Sequence, residues 1–478
     1  MRRWLALGVF VVVAAWGVTA RAAEVETLRQ NGPASARFNI AVLGDGYRTT
    51  DQAKLTTDAR AIIDYLFGVS PLRQYEPFFN VKLVHVISND DGADNGTYGA
   101  ARDTALGAYF NCGDIERLLC VDTGKVQAVA AQELPEFNFA IVLVNDPKYG
   151  GSGGQVCASS SNEQSFEVLA HEIGHSLAHL ADEYSYEGNQ PPCDEKQDCK
   201  EANATLRAAR EQIKWKDWIE SATPVPTPAT QQFAAVTGLF EGARYTPTGI
   251  YRPQQNCKMR DLGAEYCPVC AEQFVRSIWT AENIQMIESA TPTEPAVASD
   301  TCDPIALSVT NPPMLPSTYK YVWSVDGSVQ AETTNAIQLL PGVLLPGAHK
   351  VDLSVQDTTA MVRTDPNGVL VEQHSWTVTV SKSDCPTSVG GVGAGGAAGN
   401  AGAGGTGGTG GTGGAVGDTG GAGVGVSGTT GVTPRPAPPP AQTSGCGCAL
   451  PGREAPRSLA TIGLALLVLL GRRRRGRG

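Results

Sequence analysis

The sequence predicts an α/β domain, then a small all-β domain of the immunoglobulin-like sandwich class, and then a disordered glycine-rich tether. In the first half of the 478-residue chain, apolar runs alternate with stretches of helical periodicity, which is typical of a sheet covered by helices. From about residue 291, short runs rich in Val, Thr and aromatic residues are separated by turn signals, which favours a sandwich. Residues 389–432 consist mainly of Gly, Ala and Thr with almost no charge, and this composition favours a flexible tether.

The first domain is expected to contain a central sheet with helices packed on it. Its predicted elements are, in order, a strand at 38–43, a helix at 51–67 capped by Thr49 or Thr50, and strands at 81–87 and 137–144, followed by a helix at 165–180. The strand at 137–144 is almost continuously apolar, so we expect it at the centre of the sheet. We expect the helix at 165–180 to lie behind this sheet.

His171 and His175 are the most informative residues of the chain. They are four residues apart, so on a helix they lie on one face, near enough for a single ion to bind both. Glu172 lies beside them, free of the metal. A catalytic zinc takes three protein ligands and a water, whose pKa falls from about 15.7 to about 7. The alternative is a surface helix with two histidines, but residues 168–180 are otherwise uncharged and favour burial, where a metal would offset the cost of burying these groups.

A third protein ligand is required, and an unbroken helix cannot supply it. Asp182 would lie about 10 Å further along the helix axis than His175, at about 1.5 Å per residue. The helix must therefore end and the chain must turn back. Asp182 is the preferred third ligand, with Glu183 and His179 as alternatives. If none of them binds a metal, Asp182 would be a surface carboxylate at the end of a helix.

The motif and its flanks resemble the IgA-peptidase-like zinc metallopeptidases of family M64, a metzincin-like group. The resemblance covers about residues 36–285. It is carried by His171-Glu-Ile-Gly-His175 with Leu180-Ala-Asp-Glu-Tyr184, and by Asn39-Ile-Ala-Val-Leu-Gly-Asp-Gly-Tyr47, Gly150-Gly-Ser-Gly-Gly154 and Asn256-Cys-Lys-Met-Arg260. It implies a zinc peptidase domain.

The resemblance also implies roles for individual residues and shows one departure. Met259 would be the Met-turn residue beneath the metal; the alternative is an ordinary core methionine. Apart from the resemblance, the mechanism offers Tyr184 as a residue that stabilises the oxyanion; the alternative is a structural hydroxyl bonded to backbone. In the metzincin pattern a Gly marks the turn after the second His, and the third ligand comes six residues after that His. In this sequence Ala178 and Ala181 occupy those two positions.

Two loops have alternative chemical interpretations. Residues 88–96 are rich in oxygen-bearing side chains, but they lack the spaced carboxylates and distal Glu of a calcium loop, so a plain turn is favoured. Residues 150–154 match the G-x-S-x-G signature of serine hydrolases, with Ser152 as the nucleophile. That signature must directly follow a strand, and Pro147 intervenes. We therefore expect a flexible rim above the zinc whose exposed backbone could pair with an extended substrate peptide.

The second domain is predicted from six short runs, at 306–309, 319–325, 336–340, 349–356, 369–371 and 374–380. Trp323 is a candidate core residue. This domain could be a spacer or could bind a substrate or a surface.

The two ends of the chain predict export and attachment. Met1-Arg-Arg3, an apolar run at 4–18 and Ala20-Arg-Ala22 are typical of a secretory signal; a transmembrane anchor is the alternative. At the other end, Ser444-Gly-Cys-Gly-Cys448, an apolar run at 459–470 and four arginines at 472–475 resemble a MYXO-CTERM sorting tag. The resemblance implies processing near Cys446 and attachment to the cell surface or outer membrane, with release into the medium left open; a permanent transmembrane helix is the alternative.

The cysteines fit an exported protein. Two of the twelve belong to the tag, and the remaining even number suits disulfides. Short loops predict the pairs Cys112 with Cys120 and Cys193 with Cys199, and Cys302 and Cys385 bracket the second domain. The other four could pair around the active site or hold a structural zinc; they are Cys157, Cys257, Cys267 and Cys270.

These observations predict a secreted, surface-tethered zinc endopeptidase that hydrolyses extracellular proteins with a metal-activated water. Zn²⁺ would be bound by His171, His175 and Asp182, with Glu172 as the general base. The alternative is a catalytically inactive adhesion protein on a peptidase-like fold. A net charge of −11 argues against nucleic acid as a partner, which leaves a protein or peptide substrate and the membrane at the C-terminal segment. The predicted segments are a signal peptide at 1–22, the M64-like domain at 23–290, the β domain at 291–386, the linker at 387–445 and the sorting segment at 446–478.

Overall fold

The computed structural model describes residues 23–95, 101–185 and 193–387. The first part of the chain forms a six-stranded mixed sheet with helices on both faces, so the prediction of an α/β architecture is confirmed. Its strands are β1 (Glu24–Arg29), β2 (Phe38–Asp45), β3 (Phe79–His85), β4 (Phe139–Val144), β5 (Gly151–Ser152) and β6 (Val156–Ser160). The helices are α1 (Gln52–Leu66), α2 (Leu72–Tyr75), α3 (Thr123–Glu133), α4 (Ser165–Ala178) and α5 (Pro268–Thr280).

The sheet has the order β1-β3-β2-β4-β6-β5, with the four central strands parallel and the two edge strands antiparallel. Every residue of β4 is buried, as the apolar run predicted, because both faces of the strand are covered. Ile141 and Leu143 belong to the core that includes α1, α4 and α5, whereas Val142 and Val144 belong to the core under α3. The sheet therefore supports α4 from behind.

The predicted elements of this part are present with shifted ends. The strand predicted at 81–87 begins two residues earlier, and α1 begins at Gln52. The predicted threonine cap is wrong, because Thr49–Asp51 forms a 3-10 turn that leads into α1. Asp51 holds that turn, since its Oδ2 accepts a hydrogen bond from Arg48 N–H at 3.1 Å.

A hairpin and a second β region follow. The hairpin strands are β7 (Phe240–Ala243) and β8 (Thr246–Arg252). The later strands are β9 (Ser289–Thr291), β10 (Ala296–Ser299), β11 (Ile305–Thr310), β12 (Tyr319–Val325), β13 (Ser328–Val329), β14 (Ala336–Leu339), β15 (Gly347–Asp357) and β16 (Val371–Val380). They form two sheets, β10-β16-β15-β12-β13 and β14-β11-β9. Trp323 is fully buried, as predicted for a core residue, and stacks on Trp376 at 5.6 Å between ring centroids.

Buried polar contacts join this β region to the first part of the chain. Asp357 is 1% exposed and accepts hydrogen bonds from Trp279 Nε1 at 2.9 Å and from Tyr75 Oη at 2.5 Å. The first of these strands, β9, spans the predicted boundary at residue 291. The β region therefore packs directly against the part that carries α5.

The three disulfide pairs that the sequence predicted are present: Cys112–Cys120, Cys193–Cys199 and Cys302–Cys385. No helix within the described ranges has both the length and the apolar character needed to cross a membrane. The apolar runs at 4–18 and 459–470, the tether and the sorting segment lie outside the described residues.

Candidate functional site

Helix α4 brings the two predicted histidine ligands together. Their Nε2 atoms are 3.2 Å apart. The Nδ1 atom of His171 lies 2.8 Å from the carbonyl oxygen of Lys258, and that of His175 lies 2.7 Å from the carbonyl oxygen of Leu180. Because a carbonyl can only accept, each Nδ1 must donate, which leaves each neutral ring with a lone pair on Nε2. Both rings thus present a metal-binding nitrogen to the same point.

The chain reverses directly after α4 and returns a carboxylate to this point. The helix ends at Ala178, and His179 adopts a left-handed conformation with φ of 52°. Asp182 Oδ1 then lies 3.0 Å from His171 Nε2 and 3.2 Å from His175 Nε2. The ligand atoms of these three residues all lie within 4.8 Å of one another. The left-handed residue comes one position later than the metzincin Gly, and the carboxylate also comes one position later than the metzincin ligand.

The two alternative third ligands lie elsewhere. His179 is exposed at the end of the helix. Glu183 is fully buried, but its Oε1 lies 3.2 Å from the thiol of Cys270, within a second cluster of donor atoms. Of the three candidates, only Asp182 joins the histidine pair.

Glu172 is buried beside the histidine pair. It is 2% exposed, and its Oε2 has no hydrogen-bond partner among the described residues. Burial raises the pKa of this carboxyl group. A Cβ atom on Gly153 would collide with Oε2, so the glycine permits the close approach of the loop to the carboxyl group. The result is a desolvated carboxyl group next to the histidine pair, without a hydrogen bond to hold Oε2 among the described residues.

The electrostatics of the site favour positive charge. Burial opposes ionisation of Asp182, but His175 and His171 hold the pKa of this carboxyl group far below its usual range. Burial also disfavours the protonated form of His175, but the Asp182 carboxylate outweighs it and raises the pKa of His175 to about 10. A metal ion competes with that proton for the same ring nitrogen, and the same carboxylate would favour the ion.

Tyr245 belongs to the site, although no sequence pattern indicated it. Its hydroxyl donates to Asp182 Oδ2. The hairpin turn that carries it is held against the returning chain, since Arg244 N donates to Asp182 O at 2.9 Å and Tyr245 N donates to Tyr184 O at 3.0 Å. Arg244 and Tyr245 have φ of 47° and 64°, which costs about 1–2 kcal/mol per non-glycine residue. These bonds stabilise the strained turn and orient Asp182.

Met259 and Tyr184 flank the histidines. Met259 is fully buried beneath α4, where a Cβ atom on Gly174 would lie 2.5 Å from its Sδ. The ring of Tyr184 stacks on His171 with a centroid separation of 6.3 Å. Met259 therefore lies under the turn of helix that separates His171 from His175.

The prediction of a flexible glycine rim with exposed backbone is wrong for its first residues. Gly150, Gly151 and Ser152 are buried, and Gly151 O accepts from Leu119 N at 3.3 Å, so the outer edge of β5 is already covered. Ser152 Oγ donates to Leu119 O at 2.6 Å. The hydroxyl that the serine-hydrolase interpretation requires as a nucleophile is therefore hydrogen-bonded to the backbone.

The predicted turn at residues 88–96 is held by internal bonds as far as it is described. Asp91 pairs with Arg102 at 2.8 Å, and Asp90 accepts from Asp103 N at 2.8 Å. These contacts agree with a plain turn.

A family model described as IgA Peptidase M64 matches residues 26–234 and 229–278 of the chain. No curated protein sequence matches it. The chain is also similar to the fibronectin(III)-like modules of CbhA from Clostridium thermocellum, at 13% identity over 20% of this chain and 99% of that chain, with a TM-score of 0.15.

Two larger solved structures were also matched. SGBP-B of the Bacteroides ovatus mixed-linkage glucan utilization locus, in complex with a mixed-linkage heptasaccharide, is 13% identical over 18% of this chain and 19% of that chain, with a TM-score of 0.14. The endo-beta-1,4-mannanase from Thermotoga petrophila is 9% identical over 72% of this chain and 65% of that chain, with a TM-score of 0.15. These TM-scores are too low to assign a fold or a function.

Proposed function

The chain belongs to the IgA Peptidase M64 family, and from this premise we propose that it is a zinc-dependent endopeptidase that hydrolyses peptide bonds of extracellular proteins. Peptidases of this family are metallopeptidases, and residues 26–278 are matched, which is the part that carries α4.

The convergence of three ligand atoms is the main support for this function. The Nε2 atoms of His171 and His175 and a carboxylate oxygen of Asp182 converge, while each imidazole donates its other N–H to a backbone carbonyl. Two imidazole nitrogens and one carboxylate oxygen form the donor set of a catalytic zinc, which leaves a fourth position for water or substrate. The Nδ1 contacts are the outer-shell bonds that orient histidine ligands. The residues therefore fit Zn²⁺, with the metzincin-like ligand pattern displaced by one residue.

When bound, zinc would polarise the scissile carbonyl and lower the pKa of a water in the fourth position. Glu172 would take the proton of the attacking water on Oε2 and pass it to the leaving amine, which is the work of a positioned carboxylate. Its burial excludes bulk solvent from the carboxyl group and strengthens its interaction with nearby charge. Tyr245 would hold Asp182 in place through the hydrogen bond from its hydroxyl to Oδ2.

Export and attachment complete the proposal. The signal at 1–22 would direct secretion, and a coil of about 50 residues spans roughly 40 Å, so the tether would hold the peptidase clear of the cell surface. Three disulfide bonds in the described residues support an oxidising compartment. The sorting segment at 446–478 would attach the protein to the membrane, whether or not this segment is cleaved.

A catalytically inactive adhesion protein is not favoured. Such a protein would have no need for a desolvated glutamate beside two oriented imidazoles, yet Glu172 is buried there and its Oε2 has no hydrogen-bond partner among the described residues. Burying a carboxyl group without a partner costs free energy, and a role as the general base gives a reason for that cost.

The test uses the purified secreted protein, metal analysis and an unbiased peptide-library cleavage assay. We expect a chelator to abolish cleavage, zinc to restore it, and serine-directed reagents to have no effect. Glu172→Ala should keep the bound metal yet lose about 10²- to 10⁴-fold in turnover. His171→Ala should lose both the bound metal and the turnover. His179→Asn is the matched control, since His179 is exposed outside the histidine pair and Asn tolerates its left-handed backbone. Full turnover in Glu172→Ala would reject the proposal.

A further inference from the structure

A second cluster of metal-binding side chains lies within the core of the peptidase domain. It consists of three thiols and one carboxyl group, all buried, with ligand atoms that lie within 4.8 Å of one another; its members are Glu183, Cys257, Cys267 and Cys270. None of the four belongs to the histidine site. The cluster brings together residues up to 87 positions apart, so it is a product of the tertiary fold.

The sulfur atoms are spaced for a shared ion and not for a covalent bond. Cys257 Sγ and Cys270 Sγ are 3.7 Å apart. A disulfide bond requires about 2.05 Å. Two thiolates on a tetrahedral zinc, each with a Zn–S distance of about 2.3 Å, are separated by about 3.8 Å. The observed spacing therefore matches the edge of a zinc tetrahedron, while the three other cysteine pairs of the described chain have closed into disulfides.

Glu183 supplies an independent observation. The side chain is fully buried, and its Oε1 accepts from Asn203 Nδ2 at 2.9 Å and from the Cys270 thiol at 3.2 Å. Its Oε2 has no hydrogen-bond partner among the described residues. A buried carboxyl oxygen without a partner is costly, and such a group in a native protein often indicates an ion. A cation among the thiols would satisfy it.

The local sequence provides the geometry that such a site needs. Cys267-Pro-Val-Cys270 has the C-x₂-C spacing of zinc sites, and Pro268 begins α5. Cys267 therefore lies at the N-terminus of the helix and Cys270 in its first turn, where the helix dipole favours thiolates. Cys267 N donates to Cys257 Sγ at 3.3 Å, so the backbone already stabilises negative charge on that sulfur.

We propose that Cys257, Cys267, Cys270 and Glu183 bind a second divalent cation of the zinc class in a closed, structural site. Three thiolates and one carboxylate fill a tetrahedral shell and leave no position for water or substrate, which is the pattern of structural and not catalytic zinc. The proposal does not depend on peptidase activity. A soft, thiolate-preferring ion is required, so calcium and magnesium are excluded as occupants.

The second site supports the first through two connections. The segment after Cys257 places the carbonyl of Lys258 on His171 Nδ1 at 2.8 Å, and Met259 beneath α4. Glu183 directly follows Asp182, and its N–H donates to Met259 O at 2.7 Å. An ion bound to Cys257 and Glu183 would therefore add to the hydrogen bonds that already hold the backbone on both sides of the histidine site.

Metal content of the purified secreted protein tests the proposal. We expect two zinc ions per chain, one lost in Cys267→Ser and the other lost in His171→Ala. Cobalt replacement should give a thiolate-to-cobalt charge-transfer band in the near ultraviolet that His171→Ala keeps and Cys267→Ser lacks. The control is the double variant Cys302→Ser/Cys385→Ser, which opens a disulfide of the β region and should change neither the metal content nor the band. An unchanged metal content in Cys267→Ser would overturn the proposal.

The unaltered protein provides a second test that does not depend on whether a variant folds. The native protein is alkylated with and without a chelator, then denatured without reductant and mapped by mass spectrometry. Three alkylated thiols at Cys257, Cys267 and Cys270, protected until the chelator is added, support the site. A disulfide between any two of them overturns it. A chain that keeps the thiolate-bound ion but shows no peptidase activity would leave this site established and refute the proposed function alone.

Discussion

Asp182 and Glu183 are consecutive residues whose carboxyl groups enter two different clusters of donor atoms. Asp182 Oδ1 lies 3.0 Å from His171 Nε2, whereas Glu183 Oε1 lies 3.2 Å from Cys270 Sγ. Hydrogen bonds fix the backbone between them, since Arg244 N donates to Asp182 O and Glu183 N donates to Met259 O. One non-helical dipeptide thus serves both sites, and the two carboxyl groups can be altered separately.

Replacing each of the two carboxyl groups by an amide should affect a different metal site. Asp182→Asn should lower the affinity of the histidine site for zinc by more than about 100-fold, because loss of an outer-shell partner alone costs about 10- to 100-fold. Peptidase activity should fall in parallel. Glu183→Gln should spare the histidine-bound ion and weaken only the thiolate site. Metal analysis of both proteins, with cobalt spectra to identify which ion is lost, checks this. Loss of the histidine-bound ion in Glu183→Gln but not in Asp182→Asn would make Glu183 the ligand.

Tyr245→Phe removes the hydroxyl that donates to Asp182 Oδ2 and leaves the ring in place. We expect zinc affinity at the histidine site to fall about 10- to 100-fold, the range for outer-shell partners of metal ligands. Competition with a calibrated chelator measures the change. Tyr251→Phe is the control on the same hairpin, because Tyr251 bonds to Thr205 through its backbone. Equal affinities in the two variants would show that the Tyr245 hydroxyl does not orient Asp182.

The histidine pair could be predicted because its geometry is local. A spacing of four residues on a buried helix determines that both rings share a face, whatever the rest of the fold does. The choice of Asp182 over Glu183 and His179 depended on where the chain reverses. That point is His179, a left-handed residue that is not a glycine. Nothing in the sequence indicates that a histidine adopts this conformation, so the sequence alone left the third ligand open.

The remaining parts of the site come from distant segments and could not be predicted. Tyr245 reaches Asp182 across 63 positions, and Cys270 reaches Glu183 across 87. Strand β6 was missed because Val156–Ser160 is short and contains two serines, which are poor strand signals. In the fold these serines are buried and bonded, for example Ser160 Oγ to Ser165 Oγ at 2.7 Å. Tertiary contacts therefore override the local preference.

Gly174→Ala tests the packing of Met259 against the metal-bearing helix. Alanine is favoured over glycine in a helix by about 1 kcal/mol. Here its Cβ atom would lie 2.5 Å from Met259 Sδ and 3.3 Å from Tyr266 Cε1. We expect a net destabilisation of about 1–3 kcal/mol, the usual cost of overpacking a core, measured by urea unfolding of the full chain.

Two companion variants make this test specific. Gly124→Ala places the same methyl group at an exposed position of α3 and should be neutral or stabilising. Adding Met259→Ala to Gly174→Ala should relieve the collision, so the two changes should show a favourable coupling energy in a double-mutant cycle. Strict additivity would mean that the two side chains are not in contact.

Glu167 joins α4 to the segment that positions His171. Its Oε2 accepts from Lys258 Nζ at 2.7 Å and from Gly263 N at 3.0 Å, and its Oε1 accepts from the hydroxyl of Tyr65. Burial raises the pKa of this carboxyl group, but Lys258, Tyr65 and Gly263 together lower it below its usual value. Lys258 itself is 2% exposed, so the pair is shielded from solvent on one side.

The pH dependence of stability follows from this lowered pKa. A carboxyl group with a lower pKa in the folded than in the unfolded chain contributes stability above its unfolded pKa, and that contribution is lost as pH falls through the folded pKa. Glu167→Gln should therefore destabilise the chain by about 1.5–3 kcal/mol at about pH 7, the range for hydrogen bonds to charged groups. The difference from wild type should shrink below about pH 4, where the native carboxylate becomes protonated. Urea unfolding across this range checks it, with exposed Glu163→Gln as the control. A difference that stays constant down to about pH 2 would mean that packing, and not the charge on Glu167, stabilises this contact.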